Sequence, residues 1–307
     1  MSKNRDRHPE SQNPSGGAAK AWTPPPAAPE SAFGCPRDFL GNRFVYVVIS
    51  PRAGGLSIGI NVNPDKQCNF DCVYCEVNRA EPARESHLDV PVMAGELKKT
   101  LALVQQDGLR ARPAYRALPA ELLQLRHVTL SGDGEPTLAP NFVEIVQTAV
   151  HIRAVGGFPF FKLVLVTNAT GLDQPSVQQG LKCFTREDEV WAKLDGGTPA
   201  YLQKVNRTDV PIEKNLQNIL TLARQRPVVI QSLFLALNGQ EPPEDEIQQY
   251  AQRLKELKAA GAQISLVQIY SATRPTFNPD CGHLPLQTLL QIVRTVQKVS
   301  GLKAEVF

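Results

Sequence analysis

Two rhythms of apolar residues alternate along most of the chain. Short blocks that are nearly all apolar read as buried strands. Longer stretches, with apolar residues recurring every three or four positions, read as helices with one buried face. Residues 43–49 are of the first kind, a strand or hairpin arm. Ser50-Pro51-Arg52 and Gly54-Gly55 then turn the chain into a first core strand at 56–62. A helix is predicted over 91–106, with Pro91 near its start and Leu97, Leu101 and Val104 at helical spacing. Strands are predicted at 127–131, 162–167, 189–194, 228–235 and 263–269, and an edge strand at 304–307. Helices are predicted between them at 141–155, after Pro175, at 211–224, at 244–260 and at 285–300. Ile212, Leu216, Ile219 and Leu220 form the apolar face of one, and Ile247, Tyr250, Leu254 and Leu257 that of another, with Gly261 where a C-terminal cap belongs.

Strand followed by helix about six times describes an α/β domain. A closed eight-stranded barrel typically needs about 250 residues, so an open, partial (β/α)6 barrel fits residues 44–300; a doubly wound sheet is the alternative. Residues 1–34 are rich in Pro, Ser, Gly and Ala, with Pro24-Pro25-Pro26 at the centre. Such a composition cannot bury a core, so a disordered tail is expected at 1–34 and one domain at 35–307.

Composition narrows the function classes. A net charge of +3 over 307 residues does not indicate a broad polyanion-binding surface. No apolar run is long enough to span a bilayer, and the N-terminus has no secretory h-region. Six cysteines, three of them clustered, fit a reducing cytoplasm and a metal site better than a disulfide framework.

The clustered cysteines are Cys68, Cys72 and Cys75, spaced C-x3-C-x2-C, with Tyr74 directly before the last. Three soft thiolates can hold three corners of an iron–sulfur cube and leave one iron open. A structural zinc site is the bland alternative, but zinc usually takes four protein ligands, often as two C-x2-C halves. Cys35, Cys183 and Cys281 stand singly and far away in sequence. Ser57 to Pro64 leads into the trio, and Ser131-Gly132-Asp133-Gly134-Glu135-Pro136 follows a strand downstream. With these flanks, the chain from about residue 44 onward resembles the radical S-adenosylmethionine superfamily, in the Fe–S oxidoreductase branch related to tRNA wyosine-forming enzymes.

That resemblance implies a partial barrel, a 4Fe-4S cluster on Cys68, Cys72 and Cys75, and S-adenosylmethionine on the open iron. It also implies reductive cleavage to methionine and a 5′-deoxyadenosyl radical that takes hydrogen from a substrate. A one-electron donor such as flavodoxin or ferredoxin would be the partner. Tyr74 would lie near the adenine, and the Gly132–Glu135 segment would hold the methionine amino group, with Glu135 accepting from the ammonium. Asp133 departs from the Gly-Gly-Glu of many members, which leaves open whether Gly132 or only Gly134 touches the cofactor. Asn168 is a candidate for the cofactor's polar groups, or a turn former.

Lys193 and Asp195 lie near a strand end and on the same side of it, which favours a catalytic or binding role; the resemblance implies ribose or carboxylate contacts there, and a salt-bridged pair without a ligand is the alternative. Gln231 and Ser232 lie in the next strand, and Gln268 and Tyr270 in the one after. A Gln in an apolar strand costs free energy unless paired, so Gln268 is expected to face the lumen. Arg274 beyond it would anchor a carboxylate or phosphate. Phe70 is expected to shield the cluster and His127 to be structural. Arg110, Arg112 and Arg116 read as a solvated run, and the three single cysteines as inert.

The near-neutral charge and the absence of the second cysteine set of the wyosine enzymes favour a small metabolite or peptide as substrate. A tRNA base is the second candidate. A non-catalytic Fe–S carrier or zinc-stabilised module is the reading from another class.

Overall fold

The computed structural model describes residues 31–34, 39–274, 276 and 278–307. Most of the expected tail, and Cys35, lie outside the described residues. Strand β1 (Val45–Ser50) folds back onto β2 (Gly55–Asn61) through a turn at Pro51–Ala53. There the Ser50 hydroxyl accepts from the Ala53 N–H, and Gly54 takes φ 67°. An irregular segment, 62–89, then carries the cysteines. Helix α1 (Val90–Gln105) starts where the Asp89 side chain accepts from the Val92 N–H, with Pro91 in the first turn. The short α2 (Pro113–Arg116) precedes β3 (Leu125–Ser131) and α3 (Phe142–Val155). There follow β4 (Lys162–Thr167), α4 (Pro175–Leu181), β5 (Glu189–Lys193), α5 (Pro199–Asn206), α6 (Ile212–Ala223) and β6 (Val228–Leu233). The chain ends with β7 (Ala236–Leu237), α7 (Glu244–Ala259), β8 (Ile264–Tyr270), β9 (Cys281–Gly282), α8 (Leu286–Ser300) and β10 (Ala304–Val306).

The main sheet runs β1-β2-β3-β4-β5-β6-β8-β10. Only β1 is antiparallel to its neighbour. Its strand order follows the chain, as in a barrel, and does not reverse at a switch point as a doubly wound sheet does. The edge strands β1 and β10 do not pair, so the sheet is open. Alternate residues go to opposite faces. Leu163 and Leu165, Val190 and Ala192, and Val267 and Ile269 join the large core formed with the helices. The intervening Val164, Trp191 and Val229 form a separate small cluster on the other face, with Leu266 against them. That second face is the lumen, and above this apolar floor its residues turn polar.

The expected elements are present, with ends shifted by a residue or two; 228–235, for instance, is strand only to Leu233. Besides the single-turn α2, two features escaped the sequence pattern. Helix α5 is short, and Tyr201, Leu202 and Val205 are its only large buried side chains; its signal is Thr198-Pro199, whose hydroxyl caps the Tyr201 N–H at 3.2 Å. The β7–β9 ladder pairs only two residues on each side, too few to show a period.

Candidate functional site

The cysteine loop has no regular structure, so its backbone groups find partners elsewhere. Val62 N donates to the Ser131 carbonyl at 2.7 Å, and Glu135 N to that of Gln67 at 2.8 Å. Asp71 N and Val73 N donate to the carbonyls of Asn206 and Val205 on α5, at 3.0 and 2.9 Å. Thr208 Oγ1 donates to the Asn69 carbonyl at 3.1 Å. The loop is thus fixed between the end of β3 on one side and α5 on the other.

Its close approach to β3 explains the glycines. A Cβ at Gly134 would stand 2.0 Å from the Gln67 carbonyl oxygen, and one at Gly132 would stand 2.2 Å from Asn61 Oδ1. Gly132 also has φ 153°, a backbone conformation that favours glycine. The Asn61 amide, at the end of β2, clasps Asp133 by donating to its Oδ2 at 2.8 Å and accepting from its N–H at 2.9 Å. Asp133, the departure from Gly-Gly-Glu, therefore has a place in the packing.

Glu135 is 3% exposed. Its Oε1 accepts from Thr137 N at 3.1 Å, Thr137 Oγ1 at 2.7 Å and Thr167 Oγ1 at 2.5 Å, and its Oε2 accepts from Asn168 N at 2.7 Å. Burial pushes its carboxyl pKa up, and these donors pull against that. The carboxylate fastens the end of β4 to the segment after β3.

Each cysteine sulfur has an N–H donor near it. Phe70 N is 3.4 Å from Cys68 Sγ, with Asn168 Nδ2 at 4.0 Å; Asn206 Nδ2 is 3.2 Å from Cys72 Sγ; Arg79 Nη2 is 4.0 Å from Cys75 Sγ. Burial raises the pKa of the Cys68 thiol and pushes that of Cys72 up to about 12, so loading a metal would release protons. Among the described residues, no three His, Cys, Asp or Glu side chains converge closely enough to hold one metal ion. Soft sulfur donors with N–H groups near them fit an iron–sulfur group.

Cys281, distant in sequence, lies beside the loop, and its thiol donates to the Val73 carbonyl at 3.1 Å. Strand β9 brings it there, a long-range placement that sequence separation does not reveal.

The loop faces a buried polar network. The Tyr74 hydroxyl donates to Asp195 Oδ2, which also accepts from Asn206 Nδ2 at 2.9 Å. Asp195 Oδ1 accepts from Leu233 N at 2.9 Å and lies 3.4 Å from Lys193 Nζ. Lys193 and Asp195 share a side, as strand periodicity requires. Burial works against the charge on Lys193, but Asp195, with Tyr270 and Cys72, more than offsets this and raises its pKa. Lys193 Nζ donates to the Tyr270 hydroxyl at 3.1 Å. Gln268 faces the lumen, and its Oε1 accepts from Gln231 Nε2 at 3.2 Å. Ser232 faces the helices and meets the Tyr250 hydroxyl at 2.5 Å.

Asn168 donates to Asn69 Oδ1 at 2.8 Å and so touches the cysteine loop directly. Arg274 stands at the rim, with its Nη2 3.0 Å from Glu76 Oε1. Phe70 is buried. His127 is buried against the edge of Trp191, and its pKa falls to about 3 through burial and the charges of Lys162 and Arg52. Sequence reasoning missed Asn206, which bridges Cys72, Tyr74 and Asp195; its only sequence signal is the cap of the short helix that carries it.

No family model matches the chain. A UPF0026 protein of Helicobacter pylori (strain J99) is 28% identical over 231 residues, covering 73% of this chain and 66% of that protein. The chain thus spans 66% of the length of that relative. An S-adenosyl-L-methionine-dependent tRNA 4-demethylwyosine synthase of Saccharomyces cerevisiae is 25% identical over 154 residues, 48% of this chain and 17% of its own. Among solved structures, TYW1 with a lysine-pyruvate adduct bound aligns with TM-score 0.54 and 15% identity over 85% of this chain and 86% of that one. Streptococcus suis SuiB bound to S-adenosylmethionine aligns with TM-score 0.56 and 13% identity over 83% and 52%. The chain has the fold of the radical S-adenosylmethionine enzymes and, in sequence, resembles their Fe–S oxidoreductase branch related to the tRNA wyosine-forming enzymes.

Proposed function

We propose that this protein is a radical S-adenosylmethionine enzyme whose cluster sits on Cys68, Cys72 and Cys75. The observation that carries the reading is the cysteine loop itself. Its three sulfurs lie near N–H donors, and it faces a buried polar network at the strand ends of an open α/β sheet. When bound and reduced, the 4Fe-4S cluster supplies one electron to the sulfonium of S-adenosylmethionine, giving methionine and a 5′-deoxyadenosyl radical. The residues of the chain do the rest. Asn206 and Asn168 orient the cysteine loop, and Tyr74 within it is placed for the adenine. The Gly132–Glu135 segment lies against it, where the methionine end would be held. Lys193 and Asp195 are poised at the lumen for ribose or substrate groups. Phe70 and the apolar floor exclude water.

The substrate we favour is compact, a small metabolite or a peptide. A net charge of +3 gives little general attraction for nucleic acid. The similarity to a tRNA 4-demethylwyosine synthase favours tRNA as the second reading.

The test is 5′-deoxyadenosine release by the reconstituted, reduced protein, with either bulk tRNA or a small-molecule extract added. Release that needs Cys72 and rises with the extract supports the proposal. Release stimulated only by tRNA, and falling steeply with salt, would replace the compact substrate by RNA. No release under any condition would remove the enzyme reading.

A further inference from the structure

The arginine that enters the lumen is not Arg274, which is held at the rim by Glu76, but Arg52. Arg52 lies on the turn between β1 and β2. Its guanidinium carbon stands 4.2 Å from the centroid of the Tyr270 ring. The Lys193 ammonium is 5.6 Å from the same centroid and 3.1 Å from the hydroxyl of that ring. One aromatic ring at the end of β8 is therefore attended by two cations.

These cations are unequally satisfied. Lys193 has Asp195 at 3.4 Å. Arg52 has no carboxylate within ion-pair distance among the described residues, and its Nε is buried with no acceptor. Leaving an N–H of a charged group buried without an acceptor costs free energy, and that cost is relieved when an acceptor arrives. The Asp195 carboxylate is already engaged by Tyr74, Asn206, Leu233 N and Lys193, so it has little left for Arg52. Gln268 uses its oxygen to accept from Gln231, and its NH2 has no protein acceptor among the described residues. This part of the lumen is rich in donors, poor in acceptors and positive in net charge.

We infer that Arg52, Lys193 and Gln268, grouped around Tyr270, form the subsite that binds an anionic group of the substrate, a carboxylate or a phosphate. A guanidinium near an aromatic ring is held in place, while its edge can still make two parallel hydrogen bonds to such a group. The inference rests on the proposed enzyme reading for the word substrate, but the anion site itself needs no cluster. It moves the anchor from Arg274 at the rim to Arg52 inside.

The experiment uses the full-length protein without cluster. Inorganic phosphate and succinate are titrated separately by calorimetry into the wild type and into the Arg52→Gln, Arg52→Lys and Arg110→Gln variants. Saturable one-to-one binding of at least one anion is expected in the wild type. Loss of one charged hydrogen-bonding partner should weaken it on the order of tenfold to a hundredfold in Arg52→Gln. Arg52→Lys keeps the charge and should recover part of the affinity, and Arg110→Gln should bind as the wild type does. The anion bound more tightly identifies the substrate group. Absence of saturable binding in the wild type overturns the proposal, as does equal affinity in wild type and Arg52→Gln; Arg52 then only fills the open side of the sheet. If Arg52→Gln fails to fold, Arg52→Lys decides, because a mere filler would give no ordered loss of phosphate affinity on exchange of guanidinium for ammonium. Failure of the enzyme reading would instead appear as no iron and no 5′-deoxyadenosine, with anion binding intact.

Discussion

Replacing Glu135 by alanine would remove the acceptor for four donors at once: Thr137 N, Thr137 Oγ1, Thr167 Oγ1 and Asn168 N. The two hydroxyls can rotate to other acceptors. The two backbone N–H groups cannot, and both residues are buried, at 1% exposure for Thr137 and 4% for Asn168. Each buried donor left unmade costs about 1–3 kcal/mol, so Glu135→Ala should lose about 2–6 kcal/mol. That is a large part of the roughly 5–15 kcal/mol typical of a folded domain. Glu135→Gln should lose less. Its remaining oxygen can serve the Thr137 and Thr167 donors, but its NH2 would confront the Asn168 N–H, a mismatch of about 1–3 kcal/mol. The assay is urea denaturation of cluster-free protein followed by far-UV circular dichroism. With a slope near 3 kcal/mol per molar, the alanine variant should unfold at a urea concentration lower by about 0.7–2 M, and the glutamine variant should fall between. An alanine variant with the wild-type midpoint would refute the bracket. If it also bound S-adenosylmethionine more weakly, the carboxylate would instead be the ammonium acceptor that the sequence resemblance implies.

Three further outcomes are expected. Asn206→Ala removes an N–H donor from Cys72 Sγ, and the potential of a reconstituted cluster, measured by redox titration, should become more negative. Gly134→Ala would put a Cβ 2.0 Å from the Gln67 carbonyl oxygen and should cost about 1–3 kcal/mol in the same denaturation assay, by forcing the cysteine loop off β3. His127 has a folded pKa of about 3 against 6.5 when unperturbed. Its contribution is therefore fully present above pH 6.5 and is lost as pH falls toward 3, by up to about 1.4 kcal/mol per pH unit; His127→Gln should flatten stability against pH over that window.

Much of the fold was legible because parallel strands covered on both faces are apolar runs and the helices between them carry one apolar stripe. The segment 162–167 and the stripe Ile247, Tyr250, Leu254, Leu257 are clear cases. Helix α5 was not legible because its eight residues are too few to show a helical period. The cysteine trio was visible from spacing alone, but the groups around it were not. Asn61, Thr167 and Asn206 come from three different elements, and no local pattern reports which strand ends and helix ends will meet. Glu135 was recognised by its motif, but the donors that reach it from the end of β4, Thr167 and Asn168, were not. Arg52 reads as a turn residue, and only the assembled sheet brings Tyr270 beneath it. Among the described residues no helix is long and apolar enough to cross a membrane, as the sequence also indicated.

The central claim is that Cys68, Cys72 and Cys75 hold an iron–sulfur cube and not a zinc ion. Its most direct test is the metal and sulfide content of protein purified without oxygen, for the wild type and for Cys72→Ala. The account predicts brown wild-type protein with about four iron and four acid-labile sulfide per chain, and loss of most of both in Cys72→Ala. Colourless wild-type protein holding one zinc and no sulfide would contradict it.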